Sequence, residues 1–249
     1  VFINKNTHRG ILEMKKIKLS ALVALAGFSV ASVYADTKTD ALSPVGYWVQ
    51  YDEDNDAGKG MPEGIIQSSL ESNGTLSMEI VVPLMMVGAD GKSVQSPMLH
   101  CDKCGKGSKN GFDYNYTNDK DNMTQGLVFA GNMQKEAGTA ASGKSDVYDH
   151  GGVLNPNDGK TYSSMVQVQD GGETLFARAY LGPSWDSWRS AGKNAHWKRI
   201  DEAKYQEVKQ LCGLTAEGVY PYQDKDGKLT DKDLFNKCSN YDFGVKKPV

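Results

Sequence analysis

The chain has 249 residues, with 31 acidic and 28 basic side chains and a formal net charge of −3. This balance argues against nucleic acid and anionic lipid surfaces as partners, because both select clusters of basic residues. Beyond the first 35 residues no apolar run is long enough to cross a bilayer, so the sequence predicts no membrane span.

The amino-terminal segment is typical of a secretory signal peptide. Met14–Lys18 is basic, Leu19–Val33 is apolar, and Ala35 ends a motif of the kind that signal peptidase recognises. Residues 14–35 are therefore predicted to be removed, and residues 1–13 are interpreted as an over-extended N-terminus. Residues 1–35 together carry five basic residues and one acidic residue, so the chain from residue 36 has a net charge of about −7. The predicted location is periplasmic or secreted.

Residues 36–200 are predicted to form one all-β domain, in which short alternating segments are separated by turn residues. The predicted strands are residues 45–51, 63–70, 75–82, 125–131, 151–154, 161–169, 173–181 and 194–200. Residues 83–125 and 134–146 lack this pattern and are predicted to be loops. About eight short strands with mostly hairpin spacing indicate a closed antiparallel barrel or a sandwich.

The clearest part of this pattern is a three-stranded meander over residues 151–181. Pro156 and Gly159 suit the tight turn between its first two strands, and residues 170–172, Asp-Gly-Gly, form the next turn. On the middle strand, alternation places Tyr162, Ser164, Val166 and Val168 on one face.

Residues 201–249 change to a helical period and are predicted to form a small helical appendage that docks on the β-domain. Tyr205, Val208, Leu211 and Cys212 share one helical face, and Gly213 follows as a stop. Thr230 and Asp233 resemble a capping box at the start of a second helix. The segment is too short to hold a core of its own.

The four cysteines all lie beyond the signal peptide, where an even number favours disulfides. Three pairings are possible, and the spacing favours Cys101 with Cys104 and Cys212 with Cys238. The Cys101-x-x-Cys104 motif has two further interpretations. One is a redox pair, which would need a helix start that Gly105 does not provide. The other is a metal site that recruits His100, with His150 or His196 as a distant ligand.

The first and last predicted strands carry residues that resemble the calycin, or lipocalin-like, barrel signature. Gly46 and Trp48 lie on the first strand, and Trp197 and Arg199 lie on the last. In that fold the tryptophan of the first strand closes one barrel end beneath an arginine of the last strand. The resemblance therefore implies that the guanidinium of Arg199 lies within about 6 Å of the Trp48 ring centroid.

Four motifs in order resemble one family of uncharacterised bacterial exported proteins, DUF 2147. They are Cys-Asp-Lys-Cys-Gly at 101–105, the segment 151–162, Leu-Phe-Ala-Arg-Ala-Tyr-Leu-Gly at 175–182 and Trp-Lys-Arg at 197–199. The resemblance covers roughly residues 45–200. It implies a lipocalin-like β-barrel behind a signal peptide and implies no established activity.

Residues 222–233 match part of a calcium-binding EF-hand loop, with Asp224, Asp226 and Asp233 as candidate ligands. Tyr222 occupies the first ligand position, where a carboxylate is needed, and Pro221 interrupts the preceding helix. A solvated turn followed by a helix cap explains the same residues. A similar alternation of acids at 52–56 is interpreted as a turn.

The sequence contains no recognisable catalytic motif and no cofactor-binding motif. We therefore expect a protein that binds a small, partly apolar molecule inside the barrel, because an eight-stranded barrel can hold one small ligand. Candidate ligand contacts are Met78, Tyr162, Trp185 and Trp188, the last two in a loop at the barrel mouth. The alternatives are a structural or envelope-stress interaction protein whose barrel is filled by its own side chains, and an enzyme that uses the Cys101–Cys104 pair.

Overall fold

The computed structural model describes residues 40–88, 90–118, 122–215, 218 and 220–248. The predicted signal peptide and the segment before it lie outside these residues. No helix in the described ranges is both long enough and apolar enough to cross a membrane.

An eight-stranded closed antiparallel barrel forms the body of the protein, as predicted. The described residues form the eight barrel strands and four shorter strands outside the barrel. In chain order they are β1 (Gly46–Tyr51), β2 (Pro62–Leu70), β3 (Leu76–Pro83), β4 (Met86–Val87), β5 (Val94–Gln95), β6 (Gly105–Lys109), β7 (Phe112–Tyr116), β8 (Leu127–Glu136), β9 (Val147–Asn155), β10 (Lys160–Gln169), β11 (Thr174–Leu181) and β12 (Ala191–Ile200). The barrel order is β1-β12-β11-β10-β9-β8-β3-β2, which resolves the choice between barrel and sandwich. A short 3-10 helix, Asp170–Gly172, joins β10 to β11.

Two small hairpins lie within residues 83–125, which were predicted to be a loop: β4 pairs with β5, and β6 with β7. The β6–β7 hairpin packs against the outer face of the barrel, where Gly131 and Gly152 face each other across β8 and β9. A Cβ atom at Gly131 would lie 2.8 Å from the Phe112 ring, and one at Gly152 would lie 2.4 Å from the Lys109 carbonyl oxygen. These two glycines therefore make room for the hairpin.

The second predicted loop, residues 134–146, is shorter than expected. Strand β8 continues to Glu136, so the polar residues Gln134 and Lys135 belong to the sheet and pair with Asp149 and Tyr148 of β9. Polar residues are compatible with a strand here because both side chains are exposed near the end of β8.

The first and last strands close the barrel, with Trp48 of β1 directly opposite Arg199 of β12. The Arg199 guanidinium carbon lies 4.1 Å from the Trp48 ring centroid, as the resemblance implied. Arg199 also donates hydrogen bonds to carbonyl oxygens of the incoming chain and of the β10–β11 turn, including Ser43 at 2.6 Å and Gly172 at 2.7 Å. The Trp48 indole N–H donates to Pro44 and Ser68, both at 2.9 Å.

The carboxyl-terminal appendage contains α1 (Glu202–Leu211) and α2 (Lys232–Ser239). Asp201 caps α1. Asp231, rather than the predicted Thr230, caps α2, because its carboxylate is the group that accepts the Leu234 N–H. Val208, Tyr220, Tyr222 and Phe235 pack with Val49, Ile65 and Val82 of the barrel, and Tyr205 stacks on Tyr47 at 4.4 Å. The appendage therefore covers the outer face of β1–β3, as predicted.

Candidate functional site

A cavity of about 620 Å³ occupies the barrel interior and opens at the end opposite Trp48 and Arg199. Most of its wall is apolar, because alternate side chains of every barrel strand point inward. These lining residues include Ile66, Met78, Ile80, Phe129, Val153 and Val166. The mouth is bordered by the β9–β10 turn at 155–157 and by the ends of β11 and β12. The cavity favours ligand binding over the alternative of a barrel filled by its own side chains.

Besides Nε of the partly exposed Arg178, three polar atoms of cavity-lining residues have no hydrogen-bond partner among the described residues. They are the Trp197 indole nitrogen and the hydroxyl oxygens of Ser164 and Thr124. All three residues are more than nine-tenths buried. A buried polar group without a partner typically costs about 1–3 kcal/mol, so such groups are expected to meet a ligand or an ordered water.

A cluster of polar and charged groups lies at the mouth. The Gln50 amide donates to the Glu63 carboxylate, and burial together with the nearby Asp52 raises the pKa of Glu63 to about 7. Lys193 forms an ion pair with Asp54 at 2.5 Å, and this contact raises the pKa of Lys193. Glu63 therefore changes its charge near neutral pH, within the lining of the cavity.

Two of the four predicted ligand contacts line the cavity, and two do not. Met78 and Tyr162 lie in its wall. Trp185 instead packs on an outer-face cluster with Phe176 and Tyr180, and Trp188 is 87% exposed with the Arg189 guanidinium over its ring. The prediction of Trp185 and Trp188 as ligand contacts is thus not supported, because the loop after β11 folds back over the outside of the barrel.

Sequence reasoning missed Thr124, Gln50 and Glu63 as parts of the cavity. It did place Ser164 on the same face of β10 as Val166, without saying that this face points inward. A serine beside two valines on one strand face was the feature that could have indicated a polar group in the cavity wall. Thr124 follows a long connection whose path the sequence does not define, so no pattern could have placed it.

The Cys101–Cys104 pair forms a disulfide, with Cα atoms 5.4 Å apart and both residues buried. The Cys101–Cys104 loop lies against the β9–β10 turn, where the Lys103 ammonium donates to the Asn157 carbonyl at 2.9 Å. The neighbouring His100 ring nitrogen contacts the Asn122 side-chain oxygen at 2.7 Å. This geometry fits the structural interpretation and offers no thiolate to a metal or a redox partner. Cys212 pairs with Cys238 and joins α1 to α2.

The calcium candidates do not form a common ligand sphere. One Asp224 carboxylate oxygen accepts the N–H groups of Asp226 and Lys228 within its own turn, while Asp233 lies in the first turn of α2. Asp52 likewise accepts N–H groups of its own turn, at Asp54 and Asn55.

Within the described ranges, the side chains close enough to share a metal ion are Glu136, Asp149 and His150, on the outside of the barrel. They lie on β8 and β9, and sequence reasoning had assigned only His150 to a metal, as a distant ligand of the Cys101–Cys104 site.

Comparison with known proteins places the barrel in a family. The family model described as "Uncharacterized protein conserved in bacteria (DUF2147)" matches residues 46–199. A solved structure described as "Protein HP1028 from the human pathogen Helicobacter pylori belongs to the lipocalin family" is 18% identical, with a TM-score of 0.41, over 79% of this chain and 98% of that chain. No curated protein matches the chain. The family match runs from the first barrel strand to the last and therefore includes most of the cavity wall.

Proposed function

We propose that this chain, which belongs to the DUF2147 family of uncharacterised bacterial proteins, binds a small, partly apolar molecule inside its barrel. The observation that carries the proposal is an apolar cavity of about 620 Å³ with unpartnered polar atoms in its wall. Small-molecule sites typically have volumes of about 300–1,000 Å³ and combine an apolar lining with a few polar groups.

The polar atoms define the kind of ligand. The Trp197 indole N–H is covered by neighbouring protein atoms and can only donate, so a ligand group that displaces those atoms to meet it must accept a hydrogen bond. The hydroxyl groups of Ser164 and Thr124 can either donate or accept. An apolar molecule with a carbonyl, ester or ether oxygen satisfies these requirements, whereas a pure hydrocarbon would leave the Trp197 N–H without a partner.

A displacement assay tests this function on the purified chain from residue 36. The fluorescent probe N-phenyl-1-naphthylamine is bound first and is then displaced by a long-chain methyl ketone or by the alkane of the same length. We expect one probe per chain, and a ketone that competes about five-fold better than the alkane, as one hydrogen bond of about 1 kcal/mol provides.

Two variants separate cavity binding from surface binding. Met78→Trp places a larger side chain in the cavity wall and should lower probe affinity about ten-fold by narrowing the space for the probe. Trp188→Ala changes an exposed aromatic residue outside the cavity and should leave the affinity unchanged. A protein that binds no probe, or that loses binding through Trp188 instead, would contradict the proposal.

We also propose that the protein acts after export. Support comes from the basic, apolar and cleavage regions of residues 14–35 and from the two cysteine pairs, which suit an oxidising compartment. Intact-mass analysis of the protein from the cell envelope should give a chain that begins at Asp36. A full-length species found mainly in the cytoplasm would overturn this proposal.

A further inference from the structure

We propose that Glu136, Asp149 and His150 bind a divalent transition-metal ion on the outer face of the barrel, at a site separate from the cavity. One ligand atom from each residue lies within 4.8 Å of the other two. One imidazole nitrogen and two carboxylates are a donor set that suits Zn²⁺ and related ions. The site is independent of the ligand proposed for the cavity.

The strongest support is the burial of Asp149, whose side chain is 1% exposed. One of its carboxylate oxygens accepts the Tyr180 hydroxyl at 2.9 Å. The other has a single polar contact in the described part of the chain, the His150 ring nitrogen at 3.9 Å, which is too long for a hydrogen bond. A buried carboxylate is expected to be paired or to coordinate a metal, because an uncompensated buried charge is unfavourable.

The hydrogen bond from Tyr180 has the form of an outer-shell contact. Ligating carboxylates are commonly held in place by a second hydrogen bond, which leaves the other oxygen for the metal. Asp149 is therefore fixed with one oxygen still available.

The backbone brings the three side chains to the same face. Glu136 pairs with Val147 across β8 and β9, and Asp149 lies two residues further along, on the same side of the sheet. The register of β9 against β10 shifts so that Asp149 and His150 both lie opposite Met165. This bulge, with a φ of 60° at His150, turns the imidazole outward beside Asp149.

The site is accessible to an ion from solution. The His150 side chain is 60% exposed, and its second ring nitrogen lies 3.0 Å from the Glu136 carboxylate. In the described ranges the nearest comparable pair is His196 with Glu53 at 3.1 Å, which has one carboxylate and no third ligand. This pair provides a matched control.

Isothermal titration calorimetry with ZnCl₂ tests the proposal on untagged chain from residue 36 that has been treated with EDTA. We expect one Zn²⁺ per chain, with an affinity that falls at least 30-fold in His150→Ala and in Asp149→Asn. Asp149→Asn keeps the shape of the side chain and a carbonyl oxygen that can accept the Tyr180 hydroxyl, so it guards against a variant that merely misfolds. His196→Ala should bind as the wild type does.

Co²⁺ absorption gives a second measurement, because d–d bands report the ligand set directly. Bands that appear with the wild type and disappear in His150→Ala would support the site. Absence of Zn²⁺ binding at millimolar concentration would overturn it. So would binding that is equally strong in His150→Ala and Asp149→Asn. Either result would favour a His150 side chain that simply contacts the two carboxylates.

Discussion

Two buried tryptophans on neighbouring barrel strands behave differently, although Trp197 lies only two residues from Arg199 of the closed end. The Trp48 indole N–H has two hydrogen-bond acceptors, Pro44 and Ser68, and the Arg199 guanidinium covers its ring. Trp197 lines the cavity, but its indole N–H has no acceptor in the described chain. The Trp48 indole is therefore satisfied within the protein, whereas the Trp197 indole N–H is left without a partner.

The same contrast holds for the charged groups at the two ends. Arg199 donates to four backbone carbonyl oxygens around the closed end, so its charge is well solvated by the protein. Glu63, near the open end, is buried close to Asp52, and its pKa is raised to about 7. The closed end is thus hydrogen-bonded within the protein, and the less favourable groups border the cavity, as is common at binding sites.

Replacing Trp48 should have the largest effect, because it removes the centre of the closed end. Trp48→Ala is expected to lower the free energy of unfolding by about 3 kcal/mol or more, through lost apolar area and the cavity left behind. Urea unfolding followed by circular dichroism measures this loss. Trp188→Ala should change stability by less than about 0.5 kcal/mol. Equal losses in the two variants would remove the distinction between the ends.

Arg199→Lys should cost less, about 2 kcal/mol, because lysine keeps the charge but loses the planar stacking and several hydrogen bonds. The near-ultraviolet circular dichroism of the tryptophans should also change, since Arg199 lies over Trp48. Arg189→Lys is the matched control, because Arg189 lies over the exposed Trp188 ring and should contribute little. A neutral Arg199→Lys would show that the closed end depends on packing alone.

The barrel could be predicted because the features that indicate its strands lie within short segments of the sequence. Alternation and turn residues marked all eight barrel strands, and the Trp48–Arg199 closure followed from the resemblance to calycins. Strand β6 was missed because its sequence, Gly-Lys-Gly-Ser-Lys, contains no apolar residue. It exists because β7 pairs with it and because Gly131 and Gly152 leave room on the barrel surface.

The site was less predictable, for physical reasons. Cavity volume depends on how inward side chains from eight strands fill one space, and no single segment encodes that sum. Trp185 and Trp188 were assigned to the cavity because their loop lies at its mouth, but the direction in which a loop folds is not local information. The cluster of Glu136, Asp149 and His150 depends on a one-residue bulge in β9, and no pattern in the sequence predicted that bulge.

A pH series examines the open end. Glu63 has a raised pKa in the folded chain, about 7, against an ordinary value of 4.5. The protonated Glu63 side chain is favoured in the folded chain, and its contribution to stability is fully present below about pH 4.5. That contribution is lost as the pH rises through about 7, because the unfolded chain releases this proton at a lower pH than the folded chain does. Glu63→Gln should flatten the decline in melting temperature over this range. Glu173→Gln, at an exposed position near the closed end, should keep the wild-type slope.

The smallest expected effect is the most direct comparison of the two tryptophans. Trp48→Phe and Trp197→Phe remove the same atoms, but only Trp48 loses hydrogen bonds to the protein. Trp48→Phe should therefore be less stable than Trp197→Phe by about 1 kcal/mol.

In the displacement assay Trp197→Phe, rather than Trp48→Phe, should have the larger effect. Trp197→Phe should abolish the advantage of the methyl ketone over the alkane, whereas Trp48→Phe should retain it, because its indole N–H is directed toward Pro44 and Ser68. If the ketone keeps its advantage in Trp197→Phe, the indole N–H is not the donor that recognises the ligand.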